Sequence, residues 1–178
     1  MKTIDKSKTY ENIVKEIESR GKNMAVLGVF ADRAREQGYF TVADRLEELA
    51  RQDSEHCRAL YRIMQEGDEV YTLANLINCA GQLHASAERL KDAFAITARQ
   101  EGFEYVAGVI EEVAKVDSAT EEQLKGVMEE LKTGKLYKHG KTAQWHCIKC
   151  GCSTQGAEAP DMCPLCSSQK GFFKRLKK

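Results

Sequence analysis

The chain has 178 residues and a mass of 20.0 kDa, with 27 Lys and Arg balancing 27 Asp and Glu. Zero formal charge and a pI near 6.9 give no ground for a nucleic-acid or membrane-surface partner. Apolar residues at 42% and charged residues at 30% suit a globular chain, and no apolar run nears the roughly 18 residues of a membrane helix.

The opening MKTIDKSKTY has no apolar core of a secretory signal, so a cytoplasmic location is expected. The only two prolines are Pro160 and Pro164, which leaves everything before them open to long helices. Residues 9–37 carry Ile13, Ile17, Met24, Leu27 and Ala31 at helical spacing, and Gly38 closes the segment. Thr41 is the expected N-cap of a second helix with Val42, Leu46, Leu49, Leu60 and Ile63, broken at Gly67-Asp68. A third, about 70–101, has Leu73, Leu76, Ala80, Leu83, Ala87, Leu90 and Phe94, and Gly102 ends it. A fourth, about 104–133, has Val106, Val109, Val113, Val116, Leu124 and Val127. Four amphipathic helices with one apolar stripe each predict an all-α four-helix bundle. Phe30 to Gly38 resembles Phe94 to Gly102, which predicts two similar helical hairpins.

The short basic stretch GKLYKHGKT, 134–142, reads as a linker, after which Cys, Gly, Pro and Ser dominate. The expected division is a bundle over 1–137, a linker over 138–144 and a small metal-dependent module over 145–178. Some 34 residues bury too little apolar surface to fold without a metal.

Seven cysteines, five of them between 147 and 166, argue against a disulfide framework in a chain without a signal. Cys147-x-x-Cys150 and Cys163-x-x-Cys166, with 12 residues between, form two turns that aim four thiolates at one point. Such a set makes a tetrahedral S4 site for zinc or iron, and spacing alone does not choose between them.

The segment Trp145-His-Cys-Ile-Lys-Cys-Gly151, with Gly156-Ala-Glu-Ala-Pro160, Cys163-Pro-Leu-Cys166 and Lys170-x-x-Phe173, resembles the rubredoxin module at the C-terminus of rubrerythrins. Cys152 departs from it, since the family usually has an aromatic residue there. Thr9-Tyr-Glu-Asn-Ile13, Gly38-Tyr39, Glu55-His56, Ala74-Asn-Leu-Ile77 and Glu101-Gly-Phe103 extend the resemblance over nearly the whole chain. It implies a ferritin-like four-helix bundle followed by a rubredoxin-like β module, with one iron held by Cys147, Cys150, Cys163 and Cys166. The family's bundle also holds two irons. Carried over, its ligand positions become Arg20 on helix one, Asp53-x-x-His56 on helix two, Leu83 and Ser86 on helix three, and Asp117-x-x-Thr120 on helix four.

Arg20 continues the stripe of Ile13 and Ile17, and Asp53 and His56 continue that of Leu46 and Leu49, so polar groups enter the bundle interior. Two Asp and one Arg cannot offset the charge of two metals. No di-iron centre is therefore expected, and Arg20 is expected to bridge Asp53 and Asp117 instead, with His56, Ser86 or Thr120 completing the contacts. Cys57 and Cys79 read as small apolar fillers, and His84, His139 and His146 as isolated.

Three functions follow from the resemblance: a one-electron carrier on a rubrerythrin-like scaffold without catalytic residues; a peroxide reductase with metal held by Asp53, His56 and Asp117; or a structural subunit with zinc in the cysteine site. The implied partners are redox proteins. A crossover along a ferritin-like bundle spans roughly 30 Å. Gln65-Glu-Gly-Asp-Glu69 is too short for it at about 3.4 Å per residue. Helices three and four are therefore expected to pack on helices one and two of a second chain, as a domain-swapped homodimer.

Overall fold

The computed structural model describes residues 4–5, 7–65 and 71–176. They divide into two compact units, 1–70 and 71–178. The fold class is the expected one: all-α at first, as two helical hairpins, then a small rubredoxin-like β module.

In the first unit, α1 (Lys8–Glu36) starts at Ser7, whose hydroxyl accepts the Tyr10 N–H at 3.1 Å. It ends at Gly38, where φ is +82°, a left-handed turn that favours glycine. There the Gly38 N–H meets the Arg35 carbonyl at 2.9 Å and the Tyr39 N–H meets the Ala34 carbonyl at 2.8 Å. This closure is so tight that α2 (Phe40–Met64) begins at once, with Tyr39 as its N-cap rather than the expected Thr41. The crossover that would follow α2, 66–70, lies outside the described residues.

The second unit repeats this plan 64 residues on. Its first helix is α3 (Thr72–Arg89), a π turn (Leu90–Phe94) and α4 (Ala95–Gln100) in continuous helical conformation. Gly102 has φ +85°, the Phe103 N–H reaches the Ala98 carbonyl at 2.8 Å, and α5 (Glu104–Lys132) follows. The corner cores match residue for residue: Ala31, Ala34 and Ala43 are buried in one hairpin, Ala95, Ala98 and Ala107 in the other. Small side chains allow the two helix backbones of each hairpin to approach closely. Each corner is also clamped by an arginine. Arg35 pairs with Glu47 and with Asp44 at 3.2 Å, and Arg99 holds Glu111 by two bonds of 2.5 and 2.8 Å.

The π turn has a packing role. Ala87 and Ala95 are both buried but eight positions apart. At about 100° per residue, eight positions would swing the seam roughly 80° off the contact line, and the extra residue of the wider turn absorbs that rotation.

Large apolar side chains remain exposed on both hairpins, among them Val29, Phe30 and Val42 in the first and Val109, Val113 and Val116 in the second. No described helix is long and apolar enough to cross a membrane.

After α5 the chain enters an antiparallel three-stranded sheet in the order β2-β1-β3, with β1 Lys138–Cys147, β2 Ser153–Glu158 and β3 Phe173–Arg175. β1 already begins at Lys138, within the stretch that composition reads as a linker. The register slips between Lys138 and Ala143, so that stretch pairs only at its ends. Trp145 and Phe173 are buried with Ala159, Cys147 and Cys163 as the module's core. The Trp145 indole N–H finds the Gly156 carbonyl at 3.1 Å.

Candidate metal centre

The two cysteine turns are the same structure built twice, 16 residues apart. The Gly151 N–H bonds the Cys147 carbonyl at 2.9 Å, and the Ser167 N–H bonds the Cys163 carbonyl at 2.9 Å. The Cys147 N–H bonds the Cys152 carbonyl, and the Cys163 N–H the Ser168 carbonyl, each at 2.8 Å. Both turns need a left-handed residue, supplied by Gly151 at φ +80° and by Ser167 at φ +56°. Among the described residues Ser167 is the one non-glycine in that region, so the second knuckle carries local strain that the first avoids.

These closures bring Cys147, Cys150, Cys163 and Cys166 together, with all four sulfurs within 4.8 Å of one another. Cys147 and Cys166 are separated by 3.8 Å, Cys150 and Cys163 by 3.6 Å. A tetrahedron with metal–sulfur bonds of about 2.3 Å has edges of about 3.8 Å, so the quartet fits a four-coordinate thiolate-bound metal.

Charge supports the same conclusion. The Ser168 hydroxyl, 3.2 Å from the Cys166 sulfur, and the Ser168 N–H pull the Cys166 thiol down to about 6. The Cys152 N–H acts on Cys150 in the same sense. Burial and the three neighbouring sulfurs outweigh it, and Cys150 is pushed up to about 12. Burial works against the Cys163 anion, but the N–H groups of Cys166 and Leu165 prevail and hold it below its ordinary value. The quartet thus has donors ready for negative sulfur but too much mutual repulsion to ionise fully without a cation.

Cys152 lies outside the quartet. It is half-buried against the core around Trp145 and Cys163, and burial raises its thiol, reinforced by the Cys163 sulfur. It stands where the second turn has Ser168. Sequence reading did not single out Ser168, which has no spacing signature of its own; the 16-residue match between the turns is the signal that points to it.

The helices also place polar groups between them. Arg20 Nη1 donates to Asp53 Oδ1 at 2.6 Å and to His56 Nδ1 at 2.8 Å, and Nη2 reaches Glu16 at 2.8 Å. A guanidinium only donates, so in this contact His56 Nδ1 is the acceptor. Burial opposes the Arg20 charge, but Asp53 and Glu16 outweigh it and raise its pKa. Arg20 Nε is buried without a partner. Half-buried Leu83, Ser86 and Asp117 lie on α3 and α5, and the Thr120 hydroxyl donates to the Val116 carbonyl at 2.9 Å. His84, expected to be isolated, instead meets Glu121 at 3.2 Å. Glu121 is buried and also bonds Lys125 at 2.8 Å. His84 lies 64 residues after Arg20 yet contacts the position after Thr120, a change of phase that the π turn accounts for.

Two CxxC knuckles on a three-stranded sheet define a rubredoxin-like metal module, here C-terminal to two helical hairpins. Along nearly its whole length the chain is similar to rubrerythrins. It is 28% identical over 187 residues to rubrerythrin of Nitratidesulfovibrio vulgaris, covering 99% of this chain and 98% of that one. It is 28% identical over 192 residues to rubrerythrin of Clostridium perfringens (99% and 98% covered), and 26% over 190 residues to that of Porphyromonas gingivalis (99% and 94%). The solved structure of partially reduced nigerythrin is 23% identical, with a TM-score of 0.36 over 98% of this chain and 92% of that chain. No family model matches.

Proposed function

We propose that the chain is a one-electron carrier, with a single rubredoxin-type iron held by Cys147, Cys150, Cys163 and Cys166 on a rubrerythrin-like scaffold. The quartet's 3.6 and 3.8 Å sulfur spacings carry this reading. Iron in a thiolate cage supplies reversible one-electron chemistry without a bound substrate. The protein's part is to hold four sulfurs in fixed geometry, to donate N–H groups from Cys152, Leu165, Cys166 and Ser168 to them, and to exclude water with Trp145 and Phe173.

A di-iron pair does not suit the donor set of the helices. The Arg20 guanidinium cannot ligate a metal, and it is bonded to two of the three family-equivalent groups that could, Asp53 and His56. Among the described residues the carboxylates bonded to Arg20 are Asp53 and Glu16. The exposed apolar faces of the two hairpins favour assembly across chains as a domain-swapped homodimer. On this reading 1–137 is the helical scaffold, 138–144 a connector and 145–178 the redox module. A cytoplasmic setting would suit the described cysteines, all of which are free thiols.

Elemental analysis and a visible spectrum of protein purified anaerobically from its host test the proposal. One iron per chain with a reversible one-electron bleach is expected. Three irons per chain with peroxide turnover would make it a peroxide reductase, and colourless native protein loaded with zinc a structural subunit; either result overturns the carrier reading.

A further inference from the structure

The charge of the chain is segregated. Between 138 and 178 there are eight Lys and Arg but only two carboxylates, Glu158 and Asp161. The preceding 137 residues hold 19 Lys and Arg against 25 Asp and Glu. The C-terminal region is therefore +6 and the rest −6, an asymmetry that the zero total conceals.

Part of the positive charge is matched locally. Lys170 lies 2.7 Å from Glu158 and 2.8 Å from Asp161, Lys138 lies 3.5 Å from Glu158, and Arg175 lies 3.1 Å from Glu130 of α5. Lys141, Lys149 and Lys174 are exposed, and no carboxylate among the described residues pairs with them. Lys149 sits inside the first knuckle, its ammonium 5.7 Å from the centre of the Phe172 ring. The knuckles also expose apolar side chains: Ile148 is 52% exposed, Leu165 70%, and Met162, just before Cys163, 59%. Of the four ligands, Cys150 and Cys166 are the ones only half-buried. The tips of both knuckles thus offer the two more accessible sulfurs, an apolar surface and a lysine, and the one carboxylate next to Met162 in the chain, Asp161, is already paired with Lys170.

We propose that these knuckle tips are the docking face for a separate, acidic one-electron redox protein. The apolar tips supply contact area, and the surplus positive charge steers an anionic partner across roughly 8 Å of screened solvent at physiological salt. The proposal rests on the carrier reading. A second copy of this chain also offers acidic helices. On that reading those helices hold no redox centre, so a copy docked there could neither give nor take the electron.

The test uses the full chain, and reduced acidic flavodoxin as probe. One electron leaves the flavin hydroquinone and converts one ferric ion to ferrous, with no bond made or broken. A mediated redox titration first asks whether the iron-loaded chain takes up one electron reversibly; failure there defeats the carrier reading itself. Given success, stopped-flow bleaching should give a second-order rate that falls about tenfold between 20 and 500 mM salt. Lys149→Glu should lower the low-salt rate by roughly three- to tenfold. Lys174→Glu, which does not sit between ligands, should lower it by roughly twofold. Binding of labelled flavodoxin to the zinc-loaded chain, followed by fluorescence anisotropy, should weaken in the same order without any electron moving. A flat or rising salt dependence, or two variants that bind and react like the parent, would overturn the proposal. So would sedimentation showing that salt and both substitutions change self-association in step with the rates, which would identify a second copy as the occupant.

Discussion

The cysteine module and the helical hairpins are both built by doubling, and they have kept different things. In the module the two knuckles share backbone closure and ligand chemistry, so Cys147 and Cys150 match Cys163 and Cys166 in position and in role. In the hairpins the closure and the packing are shared while the polar centre is not. Ala31, Ala34, Ala43 and Arg35 recur as Ala95, Ala98, Ala107 and Arg99, yet Arg20 recurs as His84 and meets a different partner. A fold this small in its apolar core cannot lose its ligands and persist, whereas a helical hairpin can lose a polar centre if another set of charges closes on itself.

The sharpest way to break this comparison is to remove a ligand. Cys147→Ser should forfeit metal-coupled folding energy on the order of 10 kcal/mol, enough to unfold the module. Far-UV circular dichroism should keep its helical signal while the sheet resonances of 145–175 collapse in an NMR spectrum. A module that stays folded without metal would remove the distinction drawn above. Next in size is Trp145→Ala. Trp145 is 0% exposed at the centre of the module, and its loss should cost about 3–5 kcal/mol. Denaturant titration, followed through the metal–thiolate absorption, should show the midpoint drop while the helical transition stays in place.

A smaller effect probes the hairpin corners. Hydrogen bonds from Arg35 and Arg99 hold Glu47 and Glu111 below the ordinary carboxylate value of 4.5. A depressed pKa gives stability that is present above the unfolded value and is lost as pH falls through the folded one. Acid loss of helix should therefore begin below pH 4.5. Arg99→Ala should move the acid midpoint up by roughly a few tenths of a pH unit, the modest shift expected of partly exposed pairs. Circular dichroism at 222 nm against pH, with Arg35→Ala as the matched variant, reads both corners. A midpoint unmoved by both substitutions would show that the clamps add nothing to the alanine seams.

How much of this was legible in the sequence differs by region for physical reasons. The four cysteines were legible because CxxC spacing states the geometry, and the hairpin corners because only glycine sits easily at the φ of Gly38 and Gly102. The start of α2 lies at Phe40 and not after Thr41, where the sequence points. A side chain looked able to cap the helix, but the tight backbone closure through Ala34 left no room before Phe40. The His84–Glu121 pair was not legible, since it joins helices 37 positions apart and depends on a π turn without a sequence signature. The charge segregation was present in the sequence and was hidden by taking the sum over the whole chain.

The finest distinction lies within the module, where the doubled knuckles differ by one atom type. Ser168 and Cys152 occupy matching places after the two turns, and each gives its backbone N–H to a ligand sulfur, Cys166 and Cys150 respectively. Only Ser168 adds a hydroxyl, 3.2 Å from the Cys166 sulfur. A donor to sulfur stabilises the ferrous cage more than the ferric one, because the ferrous cage carries one more negative charge. Ser168→Ala should therefore lower the reduction potential, by on the order of tens of millivolts, and leave iron content unchanged. Cys152→Ser should do the reverse if its hydroxyl reaches Cys150 as Ser168 reaches Cys166. Ser168 is itself buried, so truncation also leaves a small void. Ser168→Thr, which keeps the hydroxyl, separates the two effects. Potential restored by threonine but not by alanine assigns the shift to the hydrogen bond; potential equal in all three would mean that the backbone N–H groups alone set it.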